Sequence, residues 1–353
     1  MIQYKIANPI RIQHQGNRAN QEDNTYPTEQ PTMADDRVFI LCDGMGGHDR
    51  GEVASRTVCE SMGAWLKEHW KADEPLTWET FNQALFAAYE ALDKEDDVDD
   101  TKKMGTTMTF LALHAGGASI AHIGDSRVYH IRPASAEGPA SIVSQTRDHS
   151  LVNDLIRLGE LTEEEARTAP NRNVITRAMQ PHQERRARAD WKDVADVRPG
   201  DYFYMCSDGM LEQMDNSELL ELIAAPQPTD SEKGEELLRR TAQNRDNHTA
   251  FLVHVLEVTG ETHPAPPTDN AGNEVEVCAV AVEPADCGND APLPARRMGR
   301  KLSIRRRRIR RERACGLDFL GKGSLSGKLS TVLMLLVAVL SVLALLYFLL
   351  GKK

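Results

Sequence analysis

Val38-Phe39-Ile40-Leu41-Cys42 is an apolar run with the β-branched and aromatic bias of a buried strand, and it breaks at once into Asp43-Gly44-Met45-Gly46-Gly47. A carboxylate therefore sits at the mouth of a strand. The glycines around it permit backbone conformations closed to other residues and let another group approach closely. Tyr202-Phe203-Tyr204-Met205-Cys206-Ser207-Asp208-Gly209 repeats the arrangement far downstream. Asp-Gly is a common turn pair, so either junction alone could be an ordinary strand end. Two such strands, with acids elsewhere to join them, predict an oxygen-ligand site for hard divalent cations.

A chain of 353 residues has ample length for one large domain or two medium ones. Its charge is divided: residues 1–258 carry 27 basic and 44 acidic side chains, a net of −17, and residues 259–353 carry 15 and 9, a net of +6. The front lacks the basic footprint that nucleic-acid binding requires. Six cysteines are scattered with no pair at zinc-finger or redox spacing, and Cys42 and Cys206 fall inside apolar strands, which fits a reducing compartment. The N-terminus has neither the basic region nor the apolar core of a signal peptide.

Along the front, residues 10–15 alternate as a half-buried strand, and Gly16-Asn17-Arg18-Ala19-Asn20-Gln21-Glu22-Asp23 reads as a polar loop with one Arg and two adjacent acids. Residues 52–70 and 78–92 keep apolar side chains at helical intervals, and the stripe Phe81, Leu85 and Tyr89 is expected to be core. Short strands follow over 106–114, 118–123 and 128–131, with Asp125 in the turn Gly124-Asp125-Ser126-Arg127. Residues 150–169 read as two short helices interrupted at Gly159, and residues 190–201 return to strand and turn. Helices over 216–224 and 231–244 lead to Arg245-Asp246-Asn247-His248, which places Asp246 just before a strand over 249–258.

Beyond residue 258 the composition changes. Residues 259–295, rich in Pro, Ala, Asp, Glu and Asn, read as a disordered linker, and residues 296–328 as a basic juxtamembrane segment. Residues 296–313 hold eleven Lys/Arg against one acid. Residues 329–350 are 22 uncharged, mostly apolar positions, which as a helix would span about 33 Å, enough for a bilayer core. The expectation is a single-pass inner-membrane anchor. The arginine block beside it keeps the front domain in the cytoplasm by the positive-inside rule and suits anionic lipid headgroups.

With these motifs in place, residues 5–258 resemble the metal-dependent Ser/Thr protein phosphatases (type 2C, the PPM family). The resemblance is carried by Arg18-Ala19-Asn20-Gln21-Glu22-Asp23, Asp43-Gly44-Met45-Gly46-Gly47, Gly105-Thr106-Thr107, Gly124-Asp125-Ser126-Arg127, Ser207-Asp208-Gly209 and Arg245-Asp246-Asn247 in that order. It implies an α+β fold, an αββα sandwich of two antiparallel sheets flanked by helices. It also implies two Mn²⁺ or Mg²⁺ ions, and in bacterial members a third. Asp43 would bridge two ions and the Gly44 carbonyl would complete one. Asp208 and Asp246 would bind the other, with Glu22 reaching it directly or through water, and Asp23 would orient water from behind. Asp125 with Asp208 would hold the third ion, and Arg18 would clamp the substrate phosphate.

The physical chemistry of those roles is consistent. Two cations bridged by a carboxylate lower the pKa of a shared water, so that hydroxide is available near neutral pH for in-line attack on phosphorus, with no cysteine nucleophile. One departure from the animal enzymes is Met45, where they carry a His proposed as general acid; the bacterial branch shares the Met. His48 reads as a solvent-facing loop residue. Residues 148–179 match the flap that borders the cleft in bacterial members. The expected activity is hydrolysis of phosphoserine and phosphothreonine in phosphorylated proteins, opposing a bacterial Ser/Thr kinase. The alternatives are a catalytically silent phosphoprotein-binding scaffold on the same fold and a hydrolase of small phosphorylated metabolites.

Overall fold

The computed structural model describes residues 1–29, 31–46, 50–96, 104–171 and 174–260. The linker, the arginine block and the apolar run 329–350 lie outside the described residues, as do Gly47 and His48. Among the described residues no helix is long and apolar enough to cross a membrane.

One antiparallel sheet runs in the order β1 (Gln3–Ile6), β12 (His248–Thr259), β11 (Tyr202–Cys206), β8 (Arg127–Arg132) and β9 (Ser141–Gln145), with β2 (Ile10–His14) also paired to β12. The second runs β10 (Asp190–Val194), β7 (Gly117–Ile123), β6 (Met108–His114), β4 (Val38–Met45) and β3 (Asp23–Tyr26), with β5 (Gly105–Thr106) on the end of β4. Helices α1 (Arg50–His69) and α2 (Trp78–Glu95) pack on the second sheet. Helices α5 (Asn216–Ala224) and α6 (Asp230–Thr241) pack on the first. Helices α3 (Leu151–Leu158) and α4 (Glu163–Thr168) lie in the segment between β9 and β10.

The period-two alternation of the strands makes this a four-layer sandwich. In β4, Phe39 and Leu41 join Leu111, Phe203, Met205 and Phe251 between the sheets, while Ile40 and Cys42 meet Val58, Met62 and Phe81 of the helices. In β11, Phe203 and Met205 face the inter-sheet core, and Tyr202, Tyr204 and Cys206 face Leu219, Ile223 and Leu237. Strands buried on both faces explain the nearly continuous apolar runs of β4 and β11. The stripe Phe81, Leu85 and Tyr89 is core, as its spacing predicts.

Local chemistry starts α2 and α5 and stops α3 where the sequence predicts, while α2 runs on to Glu95 and α6 stops at Thr241, short of the expected 244. Thr77 caps α2 by accepting from the Thr80 N–H, Gly159 closes α3 at φ 76°, and Asp215 with Glu218 forms a capping box on α5. Three strands carry no comparable sequence signal. Asp23, placed by its sequence in a polar loop, instead opens β3 opposite Asp43. Asp and Asn disfavour strands, so Asp23-Asn24-Thr25-Tyr26 is extended because β4 supplies its partner. β1 and β9 are likewise short strands formed against longer neighbours.

Candidate active site

One end of the sandwich gathers the C-terminal ends of β4 and β11, the turn from β7 to β8, the start of β3 and the approach to β12. Each delivers one of the acids singled out in the sequence. Asp43 is fastened through its main chain: its carbonyl accepts from the Thr107 N–H (2.8 Å) and the Thr106 hydroxyl (2.9 Å), and its N–H donates to Thr107 Oγ1 (3.0 Å). Thr107 Oγ1 also bonds Ser126 Oγ at 2.8 Å, which ties the β4 end to the turn that carries Asp125. Gly124 in that turn has φ 104°, and a Cβ there would lie 2.6 Å from Thr107 Cγ2.

Asp23 is buried directly across from Asp43, and its Oδ2 accepts from the Ser207 hydroxyl at 2.9 Å. Asp208 follows Ser207 at the head of a 3₁₀ turn, Asp208–Leu211, and lies open to the cleft. The turn that carries Asp246 is held from below by Glu212, whose carboxylate accepts from the Arg245 and Asp246 N–H groups at 3.0 and 3.1 Å. Glu22 receives a backbone bond from the Gly44 N–H (3.1 Å), and its carboxyl group lies against Gly51 at the start of α1. Arg18 reaches across to Asp246, Nη2 to Oδ2 at 2.6 Å.

Burial first, and neighbouring negative charge second, keeps several of these acids protonated above the usual carboxylate range. Enclosure in the protein, followed by the charges of Asp23, Asp208, Asp125 and Asp246, pushes the Asp43 carboxyl well above the usual range. Burial raises Asp23 to about 7 despite its hydrogen bond from Ser207. Burial, then Asp208 and Asp148, raises Asp125 to about 7. Although its surface opens to the cleft, Asp208 is pushed up to about 6 by the protein atoms crowded round it and then by Asp246 and Glu212, while a hydrogen bond with Asp43 opposes the rise. Arg18 is held more firmly protonated, first by its bond to Asp246 and then by the charges of Asp246, Glu22 and Asp43.

This donor set fits divalent cations. Carboxylates that raise one another's pKa lose that penalty when a hard cation stands among them. The buried Asp23 Oδ1 and Asp125 Oδ1 meet no protein donor, so oxygen lone pairs remain for a ligand or water. A separate trio, His122, His149 and Asp190, brings its ligand atoms within 4.8 Å of one another. The two imidazoles are stacked at 4.4 Å and 10°, so their lone pairs run parallel and do not converge. The Arg177 guanidinium already lies 2.7 Å from Asp190 and 3.1 Å from His149 Nε2. That trio braces the segment around α3 and offers a poor metal site.

Arg18, Glu22, Asp23, Asp43, Gly44, Asp125, Asp208 and Asp246 thus all come to one cleft. The supporting roles of Thr107, Ser207 and Asn247 were not assigned from sequence, although each lies inside or beside a quoted motif. Glu212 and Gly51 lay in none. Glu212 stands four residues beyond Asp208, a spacing that in a helical turn returns to the same side.

A profile of the family described as protein phosphatase 2C matches residues 13–256. Protein phosphatase PhpP of Streptococcus pneumoniae is 33% identical over 248 residues, 69% of this chain and 95% of that protein. The crystal structure of the serine/threonine phosphatase PstP/Ppp of Mycobacterium tuberculosis superposes with a TM-score of 0.59 at 28% identity, covering 71% of this chain and 99% of that one. A structure of the catalytic domain of PstP in complex with two manganese ions gives 0.57 at 27% identity, covering 73% and 100%. The described elements, their order and these similarities agree, and the chain belongs to the protein phosphatase 2C family of Ser/Thr protein phosphatases.

Proposed function

We propose that this chain hydrolyses phosphoserine and phosphothreonine in phosphorylated proteins, with Mn²⁺ or Mg²⁺ held by Asp43, the Gly44 carbonyl, Glu22, Asp125, Asp208 and Asp246. The observation that carries the reading is the convergence of these acids with Arg18 at one end of the sandwich, where burial and then the neighbouring carboxylates raise the pKa of Asp43, Asp125 and Asp208. When bound, such cations would lower the pKa of water near the cleft and draw charge from phosphoryl oxygens. Asp43, Asp125 and Asp208 would hold such ions as carboxylates, without the protons that burial favours on them in their absence.

Arg18 has a fork of N–H donors suited to two phosphate oxygens, and it turns to the substrate from its ion pair with Asp246. Asp23, buried with one free oxygen and a pKa of about 7, is placed to hold or pass a proton behind Asp43. Among the described residues the thiols next to the cleft take no part: Cys42 and Cys206 are fully buried, and burial pushes Cys206 up to about 12.

The apolar run 329–350 and the arginine block before it support a tether at the cytoplasmic face of the inner membrane, where the partner would be a Ser/Thr kinase whose products this enzyme reverses. The test is Asp208→Asn in the full chain. Turnover of p-nitrophenyl phosphate and of a phosphopeptide with Mn²⁺ is expected to fall by about a hundredfold or more with the fold intact. Near-normal turnover would break the ligand assignment. Wild-type protein that binds Mn²⁺ without turnover would favour a binding scaffold, and a preference for small phosphate esters would favour a metabolite hydrolase.

A further inference from the structure

Asn247 carries no charge and touches no carboxylate through its side chain, yet that side chain makes three hydrogen bonds to the backbone of the loop that leads to Glu22. It is 4% exposed. Its amide donates from Nδ2 to the Gln15 carbonyl (2.7 Å) and the Asn20 carbonyl (2.9 Å), and its Oδ1 accepts from the Glu22 N–H (2.8 Å). One planar group therefore grips the loop at its start, near its end and at Glu22. Arg18 lies between those grips, and the Gln15 side chain adds bonds to the Arg18 and Ala19 carbonyls, both 2.8 Å.

The other side of Asn247 belongs to the acid cluster. Its own N–H donates to Asp246 Oδ1 at 2.9 Å. Gly16 packs so tightly on this turn that a Cβ there would lie 2.1 Å from the Asp246 carbonyl oxygen, and a Cβ on Gly209 would lie 2.0 Å from the Asn247 carbonyl oxygen. Only a short side chain with two donors and an acceptor in one plane meets all three loop groups. Aspartate has the shape but no donors.

We propose that Asn247 is a positioning residue for phosphate recognition: its amide fixes the loop that carries Arg18, and the Glu22 main chain, to the turn that carries Asp246. The proposal rests on the phosphatase reading, because it assigns the loop's rigidity to binding the substrate phosphate. A loop released from these bonds leaves Arg18 with several orientations, and the cost falls on substrate binding before it falls on the chemical step.

The experiment compares the full wild-type chain with Asn247→Ala, Asn247→Asp and the core control Leu219→Ala, which lies on α5 away from the cleft. Three quantities are read: amide exchange over residues 15–22, KM and kcat for a phosphopeptide with Mn²⁺, and Tm. Asn247→Ala is expected to speed exchange at residues 17–22 and raise KM about tenfold with a smaller change in kcat. Asn247→Asp, which keeps the acceptor for Glu22 and folds with the same shape, is expected to lose protection at residues 17–20, keep it at Glu22 and still raise KM.

The added charge of Asn247→Asp would also repel phosphate, and at a buried position salt screens it little, so Asn247→Ala, which adds no charge, carries the KM comparison. Leu219→Ala should lower Tm and leave KM unchanged. Unchanged exchange at residues 17–22 in both Asn247 variants, or a fall in kcat alone with KM unmoved, overturns the proposal. If wild-type protein shows no turnover, the phosphatase reading fails, while the exchange measurement still decides whether Asn247 holds the loop.

Discussion

Thr107 is one side chain doing two jobs: its hydroxyl accepts the Asp43 N–H and bonds Ser126 in the turn that bears Asp125. Thr107→Val keeps the volume and strands both partners in a buried site. It is expected to destabilise by about 1–3 kcal/mol and to lower kcat/KM about tenfold or more, read by thermal melts and phosphopeptide kinetics. The acids themselves give a pH signature in chelator-treated protein. Asp23 and Asp125 titrate at about 7 and Asp208 at about 6 in the folded chain, against about 4 unfolded. Raised folded values mean that the stability linked to these groups is complete below about pH 4 and is lost as pH rises through 6 to 7. Metal-free protein should therefore melt several degrees higher near pH 5 than near pH 8, at about 2–4 °C per kcal/mol. Mn²⁺ should raise Tm most at the higher pH. A metal-free Tm that climbs steadily from about pH 5 to 8 would contradict the clustering of these carboxylates.

The start of α1 is where a whole element meets the cleft. Gly44 and Gly51 face each other so closely that a Cβ on Gly44 would lie 2.2 Å from the Gly51 carbonyl oxygen, and one on Gly51 would lie 2.8 Å from the Glu22 carboxyl group. The helix can approach the end of β4 only without those side chains. Gly51→Ala should cost about 1–3 kcal/mol of stability and raise the Mn²⁺ concentration for half-maximal activity about tenfold, since the crowded carboxylate is the one assigned to metal. Unaltered metal dependence would remove Glu22 from the ligand set. The elements with their own signals, α1, α2 and the pair α3 and α4 split at Gly159, were legible in the sequence. β3 was not, because Asp23-Asn24-Thr25-Tyr26 is extended only through its ladder with β4.

The whole domain depends on the core between the sheets, where Phe39 and Phe251 meet edge to face at 5.5 Å. Phe251→Ala is expected to cost about 3–5 kcal/mol, enough to loosen the two sheets whose ends carry Asp43 and Asp246. Calorimetry should find Tm and Mn²⁺-dependent turnover falling together, since the cleft is assembled from both sheets. The tail is separable by composition: the front domain is acidic, and the region after it holds the arginine block and the apolar run. Removing residues 296–353 should release the protein from membranes and leave kcat on soluble phosphopeptides unchanged. A truncated chain that still sediments with membranes would contradict the tether.

Residue order alone specified the two strand-to-Asp-Gly junctions, the acids beside them, the helical intervals of α1 and α2 and the composition break after residue 258, because these are local patterns of polarity and turn chemistry. Tertiary structure decided that Asp23 lies in a strand opposite Asp43, that Glu212 supports the Asp246 turn, and that Asn247 ties that turn to the Arg18 loop. Those bonds join residues far apart in the chain, and no periodicity records which distant backbone group a buried amide or carboxylate will meet.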